Sequence, residues 1–316
     1  MPTYFAGSTL DAFVPSLTNC TDDASVVYVS PGGFADAYVT DPADGIRKGV
    51  SRLWSHAHSV SGAFAAAPVL YSWFNQSGVE VVRFASVAGG YQLQYFNAGS
   101  WVGVGEPMGG GSGTYDFLIY IHPTAGRLAW FFNQNLAVDV RALDTSPIGN
   151  VARMRLGILQ GYVGNTAHSG VLLASYNTIG HTVRRRAPTA NGTRMTWSGS
   201  YADVDDAATD DSDAISASNV GDVATFTGPV FTPTSAGNVI KAVGVAARIR
   251  NDGDVIPTNA KVLLSVGGED QLAPTNMPIT AGFQGSVAMF DKDPGTGLPW
   301  SDISRVNGEF GLVATE

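Results

Sequence analysis

The chain has 316 residues, of which 44% are hydrophobic and only 14% charged, and its formal net charge is −9. That length exceeds one modal domain, and the apolar content excludes a disordered chain. The acidic balance argues against a nucleic-acid partner, whose phosphates need Lys and Arg, and no window approaches the roughly 18 uninterrupted apolar residues of a membrane span.

Met1-Pro2-Thr3-Tyr4 lacks the basic-then-apolar order of a secretory signal, so synthesis and folding in a cytoplasm are expected. Cys20 is the single cysteine; it leaves no internal disulfide or thiolate metal cage and reads as a small buried hydrophobe. Ser25–Ser30 and Val69–Asn75 are short β-branched and aromatic runs bounded by Pro and Gly, and read as strands. Between them, His56 and His58 are two apart and would share one strand face. They could share a metal there, but zinc needs a third ligand that the neighbouring sequence does not offer. Polar strand positions are therefore the favoured reading, with no metal and no cofactor expected.

Tyr91 to Tyr95 alternates cleanly, which predicts Tyr91, Leu93 and Tyr95 inward and Gln92 and Gln94 outward. After the glycine-rich turn at Gly109–Gly113, the next run puts Tyr115, Phe117, Ile119 and Ile121 on one face, and Leu128 to Phe132 continues the pattern. Helical periodicity is not sustained anywhere. Strands every ~8–12 residues with turns between them indicate β-sandwiches. Trp54, Trp73, Trp101 and Trp130 sit in or beside these strands. An exposed aromatic flanked by amides is the usual material of a sugar site. Core packing is the plainer reading of each Trp taken singly; Trp101, beside Gly99-Ser100, is the best candidate to be exposed, with Asn97 and Asn133 as accompanying candidate glycan contacts.

Arg184-Arg185-Arg186 is the only basic run and is a candidate subunit contact; an acidic glycan or a phosphate are the other acceptors it suits, and an outward charge cluster at a strand end is the plainer reading. From Tyr201 to Asp213 the chain turns Asp- and Ala-rich, which predicts an extended, solvated joint between modules spanning 1–198 and 199–316. Asp203, Asp205, Asp206, Asp210, Asp211 and Asp213 could hold calcium, but the EF-hand pattern fails at its glycine and terminal glutamate positions. Beyond the joint, Ala224–Phe226, Val239–Arg250, Ala260–Val266 and Gly282–Phe290 read as strands of a small sandwich. A turn at Pro294-Gly295-Thr296-Gly297 then presents Trp300 as a buried anchor, and a closing strand puts Phe310 and Leu312 on one face.

The first part of the chain resembles a concanavalin A-like (laminin G-like) jelly roll, carried by Gly78–Phe84, Tyr91–Tyr95, Gly113–Ile121 and Gly126–Asn133. The fold class this implies is all-β, two β-sandwich domains with the first a jelly roll. Asp293-Pro294-Gly295-Thr296-Gly297-Leu298-Pro299-Trp300 resembles the Asp-Pro-x-Thr-Gly-x-x-Trp ending of structural proteins of tailed double-stranded DNA bacteriophages. A second block is similar to the same group: Thr182-Val183, Ala187-Pro188 to Gly192, and Thr196-Trp197-Ser198-Gly199, with Trp197 as a further anchor. This resemblance implies a virion component on the particle exterior (tail tip, tail fibre or head decoration). It also implies a homo-oligomer, a trimer being the simplest closed form, beside other virion proteins. The jelly-roll resemblance implies as an alternative a glycan-binding adhesin for host surface polysaccharide. Glycosidases on this fold carry a Glu-x-Asp-x-x-Glu pattern. Here the glutamates are Glu80, Glu106, Glu269, Glu309 and Glu316, none near another, so no enzymatic activity is expected and a depolymerase is the least favoured reading.

Overall fold

The structure, a computed structural model, describes every residue except 9, 16–19, 24–25, 31–32, 60–68, 158–165, 207–208, 233–238, 252–256 and 278. Among the described residues it is all-β, with only short 3-10 turns beside the strands. The first sandwich comprises β1 (Thr3–Gly7), β2 (Val14–Pro15), β3 (Cys20–Asp23), β4 (Val26–Val29), β5 (Phe34–Tyr38), β6 (Arg52–Ser59), β7 (Val69–Asn75) and β8 (Glu80–Val87). It continues with β9 (Gly90–Asn97), β10 (Ser100–Met108), β11 (Gly113–Tyr120), β12 (Gly126–Phe132), β13 (Asn135–Leu143), β14 (Val151–Gly157) and β15 (Thr166–Ala174). Of the strand expected over Ser25–Ser30, Ser25 lies outside the described residues, β4 supplies Val26–Val29 and Ser30 falls just past its end.

These strands form two facing antiparallel sheets. One runs β13-β12-β11-β6-β15-β4-β3 with β1 also on β15; the other runs β10-β9-β8-β7-β14-β5-β2. Alternation drives them together, because every second residue of a strand points to the same face. From the seven-stranded sheet, Tyr71, Trp73, Val82, Phe84, Tyr91, Leu93, Met154 and Leu156 point inward; Leu53, Tyr115, Phe117, Ile119, Leu128 and Trp130 meet them from the eight-stranded sheet. Phe84 sits at the centre, its ring 4.9 Å from Trp130 and 5.2 Å from Phe117. Each such ring removes about 150–250 Å² from water, which makes aromatic packing the dominant stabilising term here.

The outer face of the eight-stranded sheet is not left to solvent. The chain after β15 crosses it, so that Ile179 packs on Trp54, Leu118 and Ala129, and Thr178 donates to the buried carboxylate of Asp116 at 2.7 Å. The next strand, β16 (Ala190–Met195), already pairs with β17 (Val223–Thr227) of the second unit. The chain thus changes sandwich before Ala190 and not at residue 198, where composition placed the boundary. The Asp-rich shift belongs to a loop following the second unit's first strand.

The second unit adds β18 (Val243–Ile249), β19 (Asn259–Val266), β20 (Glu269–Leu272), β21 (Gln284–Phe290) and β22 (Phe310–Thr315). A five-stranded sheet, β16-β17-β22-β19-β20, faces the β18-β21 hairpin-like pair. Val262, Leu264 and Leu312 from the first meet Val245, Ile249 and Phe290 from the second, around Trp300.

Candidate functional site

The residues of the seven-stranded sheet that do not enter the core make a continuous outward row. Cross-strand register aligns Gly103 with Gln94, Gln94 with Arg83, Arg83 with Ser72, Ser72 with Arg155 and Arg155 with Asp36. Beside it, Trp101 pairs with Phe96, and Phe74 with Glu80 and Arg153, and Arg153 with Tyr38. The chemistry is set by strands such as Arg153-Met154-Arg155-Leu156, in which alternate residues serve core and face.

Two groupings organise this face. At one end Asp36, almost wholly buried, takes Arg155 in a bidentate pair at 2.6 and 2.8 Å and Arg153 at 3.0 Å. The two guanidiniums also lie over Phe34 and Phe74, at 3.9 and 4.2 Å from the ring centres, and Arg47 lies 3.7 Å over Tyr38. At the other end Arg83 donates Nε to Gln94 Oε1 at 2.8 Å and rests 4.1 Å over the Trp101 ring, which meets Phe96 edge-on at 5.3 Å. The Gln92 amide donates to the Gly105 carbonyl at 2.6 Å, and Glu80 accepts the Ser72 hydroxyl at 2.7 Å. Burial lowers the Arg83 pKa while the Glu80 charge works against that, and a guanidinium so placed stays cationic. Four arginines thus gather with two carboxylates on a chain whose net charge is −9.

Trp101 belongs to this face, half-buried under Arg83, and Asn97 sits next to it at the β9–β10 turn, where its carbonyl accepts the Ser100 hydroxyl at 3.3 Å. Asn133 does not join them. It occupies the β12–β13 turn in a left-handed conformation, φ 49°, and its side-chain oxygen accepts the Thr114 N–H at 2.9 Å. Thr114 lies in β11 of the eight-stranded sheet, whereas Trp101 lies on the outward face of the seven-stranded sheet. A turn-forming role consumes the amide that the sequence offered as a sugar contact.

Within the basic run Arg185 and Arg186 are half-buried, while Arg184 stays exposed. Arg186 donates to the carbonyls of Gly308 at 2.8 Å, Gly228 at 2.9 Å, Val306 at 3.2 Å and Asn307 at 3.3 Å, and burial lowers its pKa. Arg184 donates to Thr232 and Arg185 to Asp206. These donors bind the crossing segment to the second unit, so the run as a whole is not the outward subunit contact that its sequence suggested.

Trp300 is 3% exposed and donates Nε1 to the Phe290 carbonyl at 2.9 Å. Trp197 is half-buried against the same core. The turn before Trp300 is built on Asp293: its Oδ1 accepts the Gly295 N–H at 2.9 Å, its carbonyl accepts Gly297 at 2.8 Å, and Arg305 ion-pairs with it. Gly297 has φ 70°, the left-handed region glycine suits, and Pro294 starts the turn half-buried.

His56 is buried with Nδ1 2.9 Å from Asp116 Oδ1, beneath Thr178, while His58 is half-buried on the same face. Cys20 donates its thiol to the Phe34 carbonyl at 3.1 Å. In the acidic stretch Asp211 makes a bidentate pair with Arg248 at 2.7 Å, while Asp203 accepts the Ser200 N–H at 2.7 Å and Asp210 the Ser212 N–H at 2.8 Å as local turn contacts. No group of three His, Cys, Asp or Glu side chains suited to a metal occurs among the described residues.

Sequence reasoning set Gln94 outward but gave it no role, and it passed over Arg83, Arg153, Arg155 and Asp36. The available signal was charged and amide residues at alternate positions within otherwise core-forming strands, which marks an outward polar face with a purpose beyond solubility.

No protein-family model matches the chain, and no curated protein matches it. Among solved structures it is similar to the endo-β-1,4-glucuronan lyase of the fungus Trichoderma reesei, 11% identical over 55% of this chain and 96% of that one, with a TM-score of 0.39. It is similar to the receptor-binding domain of botulinum neurotoxin D at 7% identity, over 55% of this chain and 49% of that one, TM-score 0.40. It is also similar to the CBM2 module of the evolved Dit of Lactobacillus casei BL23 phage J-1 at 9% identity, over 51% and 74%, TM-score 0.32.

Proposed function

We propose that this chain is a non-enzymatic structural protein on the exterior of a tailed-phage particle and that it holds a glycan on the outward face of its seven-stranded sheet. The observation that carries the glycan reading is Arg83 seated at 4.1 Å over Trp101, with the Gln92 and Gln94 amides alongside. Sugars offer apolar ring faces and polar edges together, and such a site offers aromatic surface and fixed donors together. Binding without turnover is supported by the state of the two carboxylates: Asp36 is held between Arg153 and Arg155, and Glu80 accepts from Ser72. Placement on a virion rests on the two sequence blocks around Trp197 and Trp300. Repetition around a particle axis favours a homotrimer in contact with other virion proteins, made in the host cytoplasm.

The test uses purified full-length protein with polysaccharide extracted from a host surface, together with labelled imaging of particles. Retention of the polysaccharide with unchanged chain length, and label on the particle exterior, are expected. Shortening of the polysaccharide that Glu80→Gln abolishes would overturn the non-enzymatic reading, and particles free of label would overturn the virion placement.

A further inference from the structure

We propose that the outward face of the seven-stranded sheet selects carboxylated polysaccharide, a uronate-bearing chain, with Arg83 as the group that receives the sugar carboxylate. The inference rests on the glycan-binding reading above and deepens it.

Charge comes first. The molecule is acidic as a whole, so a polyanion is repelled by most of its surface and is held only where positive charge collects. On this face it does collect: Arg47, Arg83, Arg153 and Arg155 stand with Asp36 and Glu80. Asp36 accounts for Arg153 and Arg155. Arg83 is held differently. Its Nε goes to a neutral amide, Gln94, and its plane is fixed by Trp101, while its nearest acid, Glu80, accepts from Ser72.

Geometry makes the same point. A guanidinium with Nε engaged presents its terminal nitrogens as a planar fork, and a carboxylate fits that fork with two parallel hydrogen bonds. Stacking on the indole restricts the rotamers Arg83 would otherwise lose on binding, which lowers the entropic cost of capture. Trp101 and Phe96 then border the place where the ring bearing that carboxylate would lie. Arg155 is two strands from Arg83, about 10 Å at the usual ~4.8 Å spacing, so a chain crossing the strands meets positive charge again along its length.

Affinity electrophoresis or calorimetry on the full-length protein provides the test, with polygalacturonate, hyaluronate and alginate as acidic probes. Fully methyl-esterified polygalacturonate serves as the uncharged form of the same backbone, and dextran sulfate as a polyanion without carboxylates. The expected result is binding of at least one polyuronate that weakens as salt is raised, is at least ~10-fold weaker for the methyl ester where polygalacturonate is the ligand, and exceeds that of dextran sulfate. Arg83→Gln should weaken it by ~10-fold or more, Arg83→Lys by less, with unchanged melting temperature and circular dichroism for both. Equal binding of acid and ester forms, or of dextran sulfate, or an Arg83→Gln protein that is folded and binds normally, overturns the carboxylate selectivity while leaving glycan binding standing. Failure of all three polyuronates alongside binding of host polysaccharide also overturns it, and failure of every glycan removes both readings.

Discussion

Trp300 fills the space between the two sheets of the second unit and donates its indole N–H to the Phe290 carbonyl. Trp300→Ala removes that volume and leaves a buried carbonyl unpaired, so a loss of about 3–5 kcal/mol is expected, measured by urea unfolding of the full chain. His168 is a second residue whose surroundings set a measurable property. It is wholly buried against Tyr71, 5.3 Å ring to ring, neither ring nitrogen has a hydrogen-bond partner among the described residues, and burial pushes its pKa down to about 3. The unfolded chain takes a proton on this ring near pH 6.5, and the folded chain refuses it until about pH 3. Its neutral form therefore imposes no pH-linked penalty above pH 6.5, and stability falls by ~1.4 kcal/mol per pH unit on acidification below it. His168→Phe should flatten that slope between pH 6.5 and 4, read as the shift of urea midpoints. Single residues of this kind were poorly legible in advance. A Trp after a Pro-Gly turn draws notice in any sequence, but nothing local to Asp293 announces its pairing with Arg305, nor does anything near His168 announce that its ring nitrogens will lack a described hydrogen-bond partner.

Strands were far more legible than their partners. Val69–Asn75 is bounded in the structure as its β-branched and aromatic run suggests, and Tyr91, Leu93 and Tyr95 enter the core as their alternation requires. β16 escaped notice because Ala190-Asn191-Gly192-Thr193-Arg194-Met195 has no apolar alternation; its place comes from backbone pairing with β17 and from Glu309, which accepts the Thr193 N–H at 2.9 Å. The arginine run was visible as charge, yet the acceptors of Arg184 and Arg186 are main-chain carbonyls more than forty residues away, which carry no sequence signature. Those carbonyls make Arg186 a clamp between the crossing segment, the Gly228 loop and the entry to β22. Arg186→Gln deletes most of these donors and leaves buried carbonyls unpaired, so a loss of about 2–3 kcal/mol is expected. The corresponding change Arg184→Gln, which removes one exposed hydrogen bond, should cost under ~1 kcal/mol; equal effects of the two would contradict the clamp.

At the scale of the molecule, the β18–β21 pair has two apolar faces. Val243, Val245, Ala247 and Ile249 point into the second core with Ala288 and Phe290, while Val287 of the opposite parity packs against the first. Its register partner is Ala246, next along that face from Gly244, and small side chains there let the pair lie close to β1 and the Leu10–Ala12 turn. A strand such as β21, with one face in a core and the other half-buried against a second, reads in sequence like any apolar strand, so composition suggested two modules joined by a solvated acidic hinge and could not show that they touch. With Val287 packed against the first core from a strand whose other face lines the second, opening either unit exposes apolar surface of the other. The wild-type chain should therefore melt in one calorimetric transition, although two separate sandwiches would ordinarily give two. Val287→Asp places a charge in the shared wall without touching the second core, and it should split the transition into two, lowering the first more than the second. Two well-separated transitions in the wild-type protein would mean that the contact is too weak to couple the sandwiches, and the acidic loop would then act as the hinge its composition suggests.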